Sequence, residues 1–356
     1  LDQISYATTG NAVDFGDLTD TPGASGGNNS SSTRGFVSGG YEGSGYTNKI
    51  EKVEITSQGN AIDFGDLTQA RGYTCNASNS VRSLTAGGNT GSKVNTIDFA
   101  IFANGGEAVD FGDLTNAVAG PSGGSNAHGG LNDGYQGTRP SPIGGTGRAL
   151  FAGGSAPGVT NRIDTIVIPN LGNASDFGDL TQNMRGLIGN SSSTRALFGM
   201  GRTPSDSNII ESIEMQSLGN AADFGNLTVS GRGGSGMSST TRAVFGGGYV
   251  SPTITNVIGY VTIATAGDAS DFGDLSIARD NVGAVGSPTR GVFAGGNAPS
   301  NSNVMDYITI ASTSNATDFG DLTSARYNMK GCASEERGIW FNFKFNSWSM
   351  GWWRIS

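Results

Sequence analysis

The sequence is poor in the residues from which most catalytic and metal centres are built. Its 356 residues include one histidine and two cysteines, and Asp, Glu, Lys and Arg together make up only 14%. The single histidine, His128, excludes a multi-histidine metal site and leaves one place around which a Ser-His-Asp triad could form. Two cysteines, Cys75 and Cys332, exclude a disulfide framework and a cysteine-rich zinc site. No run of eighteen apolar residues occurs, so no membrane-spanning helix and no membrane insertion are expected. Basic residues are outnumbered: the formal charge of −9 and the pI near 4.6 disfavour nucleic-acid backbones and anionic membranes as partners. Leu1 opens the chain without a charged n-region or an apolar h-region, which reads as a mature or fragmentary product.

Glycine and repetition are what the chain has in quantity. Glycine supplies 59 residues, and one phrase, Asn-Ala-x-Asp-Phe-Gly-Asp-Leu-Thr, first spelled at residues 11–19, recurs with small changes six more times. Its first aspartates are Asp14, Asp63, Asp110, Asp176, Asp223, Asp271 and Asp318, spaced by 49, 47, 66, 47, 48 and 47 residues. A period in the forties marks a supersecondary unit that cannot bury its apolar face alone and is stable only beside its neighbours.

Each period carries four short segments in fixed order. One begins with arginine and ends in glycines, as in residues 148–154 (RALFAGG), and Arg34, Arg82, Arg148, Arg195, Arg242, Arg290 and Arg337 open its seven versions. Alternating small and β-branched or aromatic residues closed by Gly-Gly read as a buried strand entering a tight turn. A segment such as residues 161–168 (NRIDTIVI) alternates apolar and polar in its second half, as a half-exposed strand does. The Asp-Phe-Gly-Asp-Leu phrase supplies Phe and Leu as anchors of a further strand. After it, exits of the type ending in Arg71, Arg279 and Arg326 lead to small residues suited to a strand crowded around an axis.

Four antiparallel strands per period, repeated radially, describe a β-propeller. The expected fold is all-β: a seven-bladed propeller over residues 1–345, followed by a Trp-rich tail at 346–356. The chain starts inside one period and ends inside another, so residues 1–19 and 324–345 are expected to form one composite closing blade, which removes open sheet edges. Cys75 and Cys332 then fall in blades that are not neighbours, too far apart for a disulfide.

Several motifs have competing readings. Asp-Phe-Gly occurs seven times without the glycine-rich loop, lysine and catalytic-loop aspartate of a kinase. Aspartates three apart, such as Asp63 and Asp66, suit calcium, but a full shell takes about six to eight oxygens, and Asn226 replaces the second Asp in one copy. The structural reading is that the first aspartate caps a turn while the arginine opening the second strand pairs with it. No cofactor or metal is expected. The one long interval holds an insertion with His128, Asp133, Tyr135 and Arg139, read either as a loop tip or as a binding protrusion. Tyr41, Tyr46 and Tyr249, in loops between second and third strands, would add contacts on one rim. Trp340 belongs to a strand and reads as core, whereas Trp348, Trp352 and Trp353 in the tail could brace the propeller, dock onto a partner chain or stack on sugar.

The Gly-Gly closing the second strand and the Phe-plus-Leu anchor resemble the kelch repeat, although the kelch tryptophan is absent from the fourth strand. The wording of residues 315–326 (NATDFGDLTSAR), 289–296 (TRGVFAGG) and 125–131 (SNAHGGL) resembles repeat proteins encoded by marine tailed bacteriophages, cyanophages among them. That resemblance implies a non-enzymatic structural and recognition module of a virion or tail fibre. Other virion proteins and a host-surface glycan or protein would be its partners, and further copies of the chain stand among the partners to consider. The alternatives are a secreted or cell-surface bacterial adhesin of the same fold, and a polysaccharide hydrolase or lyase. The enzyme would need two non-repeated acids converging near the axis, roughly 5 to 10 Å apart.

Overall fold

The computed structural model describes residues 1–19, 28–42, 45–126 and 147–341. Every regular element among them is a β-strand, and the strands form seven four-stranded antiparallel blades set around one axis as a β-propeller. Blade 1 runs outward from the axis through Asn28–Ser30, Arg34–Glu42, Gly45–Glu54 and Ile62–Asp66. Blades 2 to 6 repeat this order over residues 75–113, 122–179, 188–231, 235–274 and 283–326. Blade 7 takes its two inner strands, Lys330–Ala333 and Arg337–Phe341, from one end of the chain and its two outer strands, Asp2–Ser5 and Val13–Asp14, from the other. Thr317–Arg326 is the outermost strand of blade 6, so the C-terminal share of blade 7 begins at Lys330. Pairing of Asp2 with Trp340 and of Ser5 with Arg337 closes the ring.

Burial follows directly from the repeat. Seven hydrophobic clusters are present, and each joins two neighbouring blades. Phe177 and Leu180 of blade 3, for example, pack with Ala196, Phe198 and Ile213 of blade 4. A sheet whose two faces both meet other sheets must be apolar on both, and this is why the second strands read as near-continuous apolar runs. Trp340 is buried in the last cluster before closure. Cys75 and Cys332 are buried thiols of blades 2 and 7, and burial pushes both up to about 12. Blade 1 stands between them.

The repeated phrase interlocks one blade with the next. In all seven copies the first aspartate accepts a hydrogen bond from the amide two residues on, at 2.9 to 3.1 Å. This bond holds a β-bulge inside the outermost strand, seen as a register shift such as that between Asp110 and Gly112. The expected turn cap is therefore a bulge cap. The glycine at the bulge has a φ between +134° and +149° and lies against the backbone of the following blade. A Cβ at Gly112 would stand 2.6 Å from the carbonyl carbon of Gly172. That close approach lets Gly172 donate to the carbonyl of Phe111 at 2.9 Å, and Ala174 to that of Asp113 at 2.7 Å. Asn173 completes the lock by accepting from the amide of Asp113 at 3.1 Å. The equivalent lock between blades 6 and 7 uses Asn11 against Asp321, at 3.0 Å.

The arginines correct the sequence reading. Arg34, Arg82, Arg148, Arg195, Arg242, Arg290 and Arg337 were expected to pair with the phrase's aspartates, and none does. Each guanidinium instead donates to a backbone carbonyl of the next blade: Arg82 to Ile168 at 2.7 Å, Arg148 to Met215 at 2.8 Å, Arg290 to Tyr6 at 2.7 Å, and Arg337 to Thr56 at 3.1 Å. The planar fork can reach across an interface while its face lies over a ring of its own blade, as that of Arg290 does over Tyr307 at 4.5 Å from the ring centroid.

Gly112→Ala introduces a Cβ against main chain that cannot move aside. The expected outcome is a loss of about 1–3 kcal/mol in unfolding free energy, measured by urea titration against the wild type.

Candidate functional site

The propeller has two unlike faces. The short connections between first and second strands and between third and fourth strands lie on one, here termed the turn face. Connections between second and third strands, together with the linkers from blade to blade, lie on the other, the hairpin face. Residues tied into the blade-to-blade locks can be set aside, which leaves a small number of candidates.

Buried acids come first, because raised carboxyl pKa values are a common mark of active sites. Six of the seven third strands carry an acid at one register position: Asp2, Glu51, Asp98, Asp164, Glu211 and Asp306. All six are buried. Each accepts from the Thr or Ser that ends the phrase in the preceding blade. Thr68 donates its amide and hydroxyl to Asp98 at 3.1 and 2.7 Å, and Thr181 bonds Glu211 in the same way at 3.1 and 2.6 Å. Ser276 donates its amide to Asp306 at 3.1 Å, and Thr323 donates to Asp2. Arg71 and Arg279, both fully buried, add ion pairs to Asp98 at 3.0 Å and to Asp306 at 2.7 Å. In blade 5 the position is Gly259, and Thr228 faces it. These acids are a second belt of blade-to-blade latches. The sequence reading missed them, although the signal was present: the six acids directly follow Leu1, Ile50, Ile97, Ile163, Ile210 and Met305, an apolar residue in every copy.

The tyrosines are different. Tyr41 and Tyr46 pair across the tip of the blade 1 hairpin with ring centroids 5.2 Å apart, edge to face, and Tyr41 is exposed. Tyr73, in the linker from blade 1 to blade 2, joins them: burial raises the Tyr46 hydroxyl above its usual range, with further contributions from Tyr73 and Tyr41. Tyr73 has φ +56°. The equivalent residue of the other described linkers is Gly120, Gly186, Gly233, Asn281 or Asn328, each also at positive φ. Glycine and asparagine tolerate that conformation, whereas a bulky aromatic residue is strained in it by about 1–3 kcal/mol. Strain of this kind points to a use for the side chain, and Tyr73 was not among the residues singled out from sequence.

Tyr249 lies elsewhere on the hairpin face, in blade 5, with the Arg232 guanidinium 4.4 Å from its ring centroid and Asp206 paired to that arginine. The candidate loop residues His128, Asp133, Tyr135 and Arg139 lie outside the described residues, as do Trp348, Trp352 and Trp353. The described residues flanking that loop, Asn126 and Gly147, stand on the turn face between the first and second strands of blade 3. Among the described residues, no group of three or more His, Cys, Asp or Glu side chains could hold a metal ion.

No protein-family model matches the chain, and no curated protein matches it. Its fold is similar to that of a solved structure entitled "Structure of YjhT", with a TM-score of 0.61 and 11% sequence identity, over 85% of this chain and 99% of that one. The likeness is one of fold.

The Glu211 latch carries a pH signature. Burial raises the Glu211 carboxyl, and its bonds from Thr181 only partly offset this. A carboxyl raised in the folded state opposes folding at pH values above its folded pKa, and the cost is relieved as pH falls towards the unfolded value of about 4.3. Glu211→Gln removes this term. Urea titrations at neutral pH and at about pH 5 should show the wild type gaining more stability than the variant on acidification, and equal gains would contradict the assignment.

Proposed function

We propose that this protein is a non-enzymatic structural and recognition module of a bacteriophage virion, carried on a tail fibre, whose hairpin face contacts a host-surface glycan or protein. The repeat, on this reading, is kelch-like, with Gly-Gly closing the second strand and Phe and Leu anchoring the fourth. The observation that carries the recognition half is the Tyr41, Tyr46 and Tyr73 cluster, where the chain keeps a strained aromatic residue at a position otherwise filled by glycine or asparagine. Tyrosine offers a rigid apolar face with a polar tip, a combination suited to sugar rings and to polar protein surfaces. The virion half rests on the resemblance of residues 315–326 and 125–131 to phage repeat proteins.

A glycan array and a pull-down from host cells test the reading directly. Tyr41→Ala should abolish capture while changing stability by no more than about 0.5 kcal/mol, since the side chain is exposed. Tyr73→Asn should weaken capture and raise the unfolding free energy by about 1 kcal/mol through relief of strain. Capture that is absent in the wild type, or unchanged in both variants, would end the proposal.

A further inference from the structure

The seven innermost strands leave a channel along the axis, containing a cavity of about 310 Å³ lined by residues from all seven blades. Small side chains line it because the strands crowd together there: a Cβ on Gly123 would lie 2.5 Å from Cys75 Sγ, and one on Gly331 would lie 2.2 Å from a methyl of Val285. Towards the turn face a run of serines links blades 2 to 5. Ser125 donates to the carbonyl of Ser78 at 3.0 Å, Ser191 to that of Ser125 at 3.1 Å, and Ser238 to that of Ser191 at 3.0 Å. That end of the channel carries no charged side chain.

The hairpin-face end differs by one residue. Lys330 opens the innermost strand of blade 7 and is the one charged residue among the seven innermost strands. It precedes Gly331, Cys332 and Ala333, which line the cavity, so it stands at the cavity's end. Its register equivalents are Ser122, Ile188, Ser235, Gly283 and Cys75, most of them small enough to leave room at that level. Lys330 is exposed to water, yet desolvation lowers the pKa of its ammonium, and the group that acts on it electrostatically is Cys75, two blades away. Its strand position and its exposure place Lys330 at the hairpin-face end of the channel. Among the described residues the Lys330 ammonium has neither an ion-pair nor a hydrogen-bond partner, and the Cys75 thiol, buried between blades 2 and 3, is neutral at physiological pH.

We propose that the hairpin-face mouth of the channel is a binding site for a small oxyanion, a carboxylate or a phosphate, with the Lys330 ammonium as its counter-ion. An ammonium in a narrow, partly desolvated mouth is short of compensating charge, and an anion entering beside it restores that compensation. The width of the channel limits the ligand to a small group or to one end of a larger molecule. This site shares no residue with the tyrosine cluster and stands or falls independently of it.

Calorimetric titration at low ionic strength, with inorganic phosphate and acetate as the two probes, tests the proposal. The wild type should bind at least one of them saturably, and the stronger of the two identifies the source of the anion. Lys330→Met should weaken that binding by about tenfold or more, the loss of one charge-assisted contact, while Lys330→Arg retains it. Wild-type affinity should also fall as the pH is raised through the ammonium's lowered pKa. Melting curves of the three proteins verify the fold, and if Lys330→Met melts early, the pH profile of the wild type decides alone. No saturable binding of either probe, or equal affinity in wild type and Lys330→Met, would overturn the proposal.

Discussion

The outer edge of every blade is sealed by the main chain of the next. An unpaired strand edge invites other chains to pair with it, and a ring of seven blades would present seven such edges. Here the carbonyls of Phe111 and Asp113 are taken by Gly172 and Ala174, and the amide of Asp113 by the Asn173 side chain. Two backbones can approach this closely only where one of them lacks a Cβ, and the Asp-Phe-Gly bulge provides that place. The aspartate shapes the bulge, the phenylalanine and leucine fill the interface behind it, and the final threonine reaches a buried acid in the next blade. Nearly every letter of the phrase has an employer in the neighbouring blade.

This division of labour bears on where activity can reside. Buried carboxylates, arginines near aromatic rings and paired aspartates would each attract attention as catalytic groups in isolation. Six or seven copies at equal register positions, each with the same partner, mark them as joints. What departs from the repeat is therefore more informative than what belongs to it. Tyr73 keeps a costly backbone conformation, and Lys330 places a charge where other blades carry Cys, Ser, Ile or Gly.

The fold was largely legible in the sequence because period, strand order and ring closure all follow from counting the phrase and noting where the chain starts and stops within it. Partner choice was not. The phrase's arginines and aspartates seemed natural ion pairs within one blade, but the distance across a blade interface is invisible to spacing, and the carbonyls that accept from the arginines have no sequence signature. The third-strand acids were readable in principle and passed over because a half-exposed strand was expected there. Tyr41 and Tyr46 were legible as residues of a connection between second and third strands, though not as a pair. Tyr73 was not, because its meaning depends on a left-handed φ that only comparison of the linkers reveals.

Closure of blade 7 also sets how the molecule responds to force. Leu1 and Phe341 lie at the same end of two adjacent antiparallel strands, so tension applied between them opens the pair Asp2 with Trp340, then Gln3 with Ile339, one after another. This is peeling, in which bonds break in sequence, whereas a pull along opposite ends would load the whole strand pair in shear. A load borne through one end alone instead reaches the ring through the full blade, with the Arg290 and Asn11 contacts to blade 6 sharing it. The ring is thus opened most readily by tension applied between residues 1 and 341.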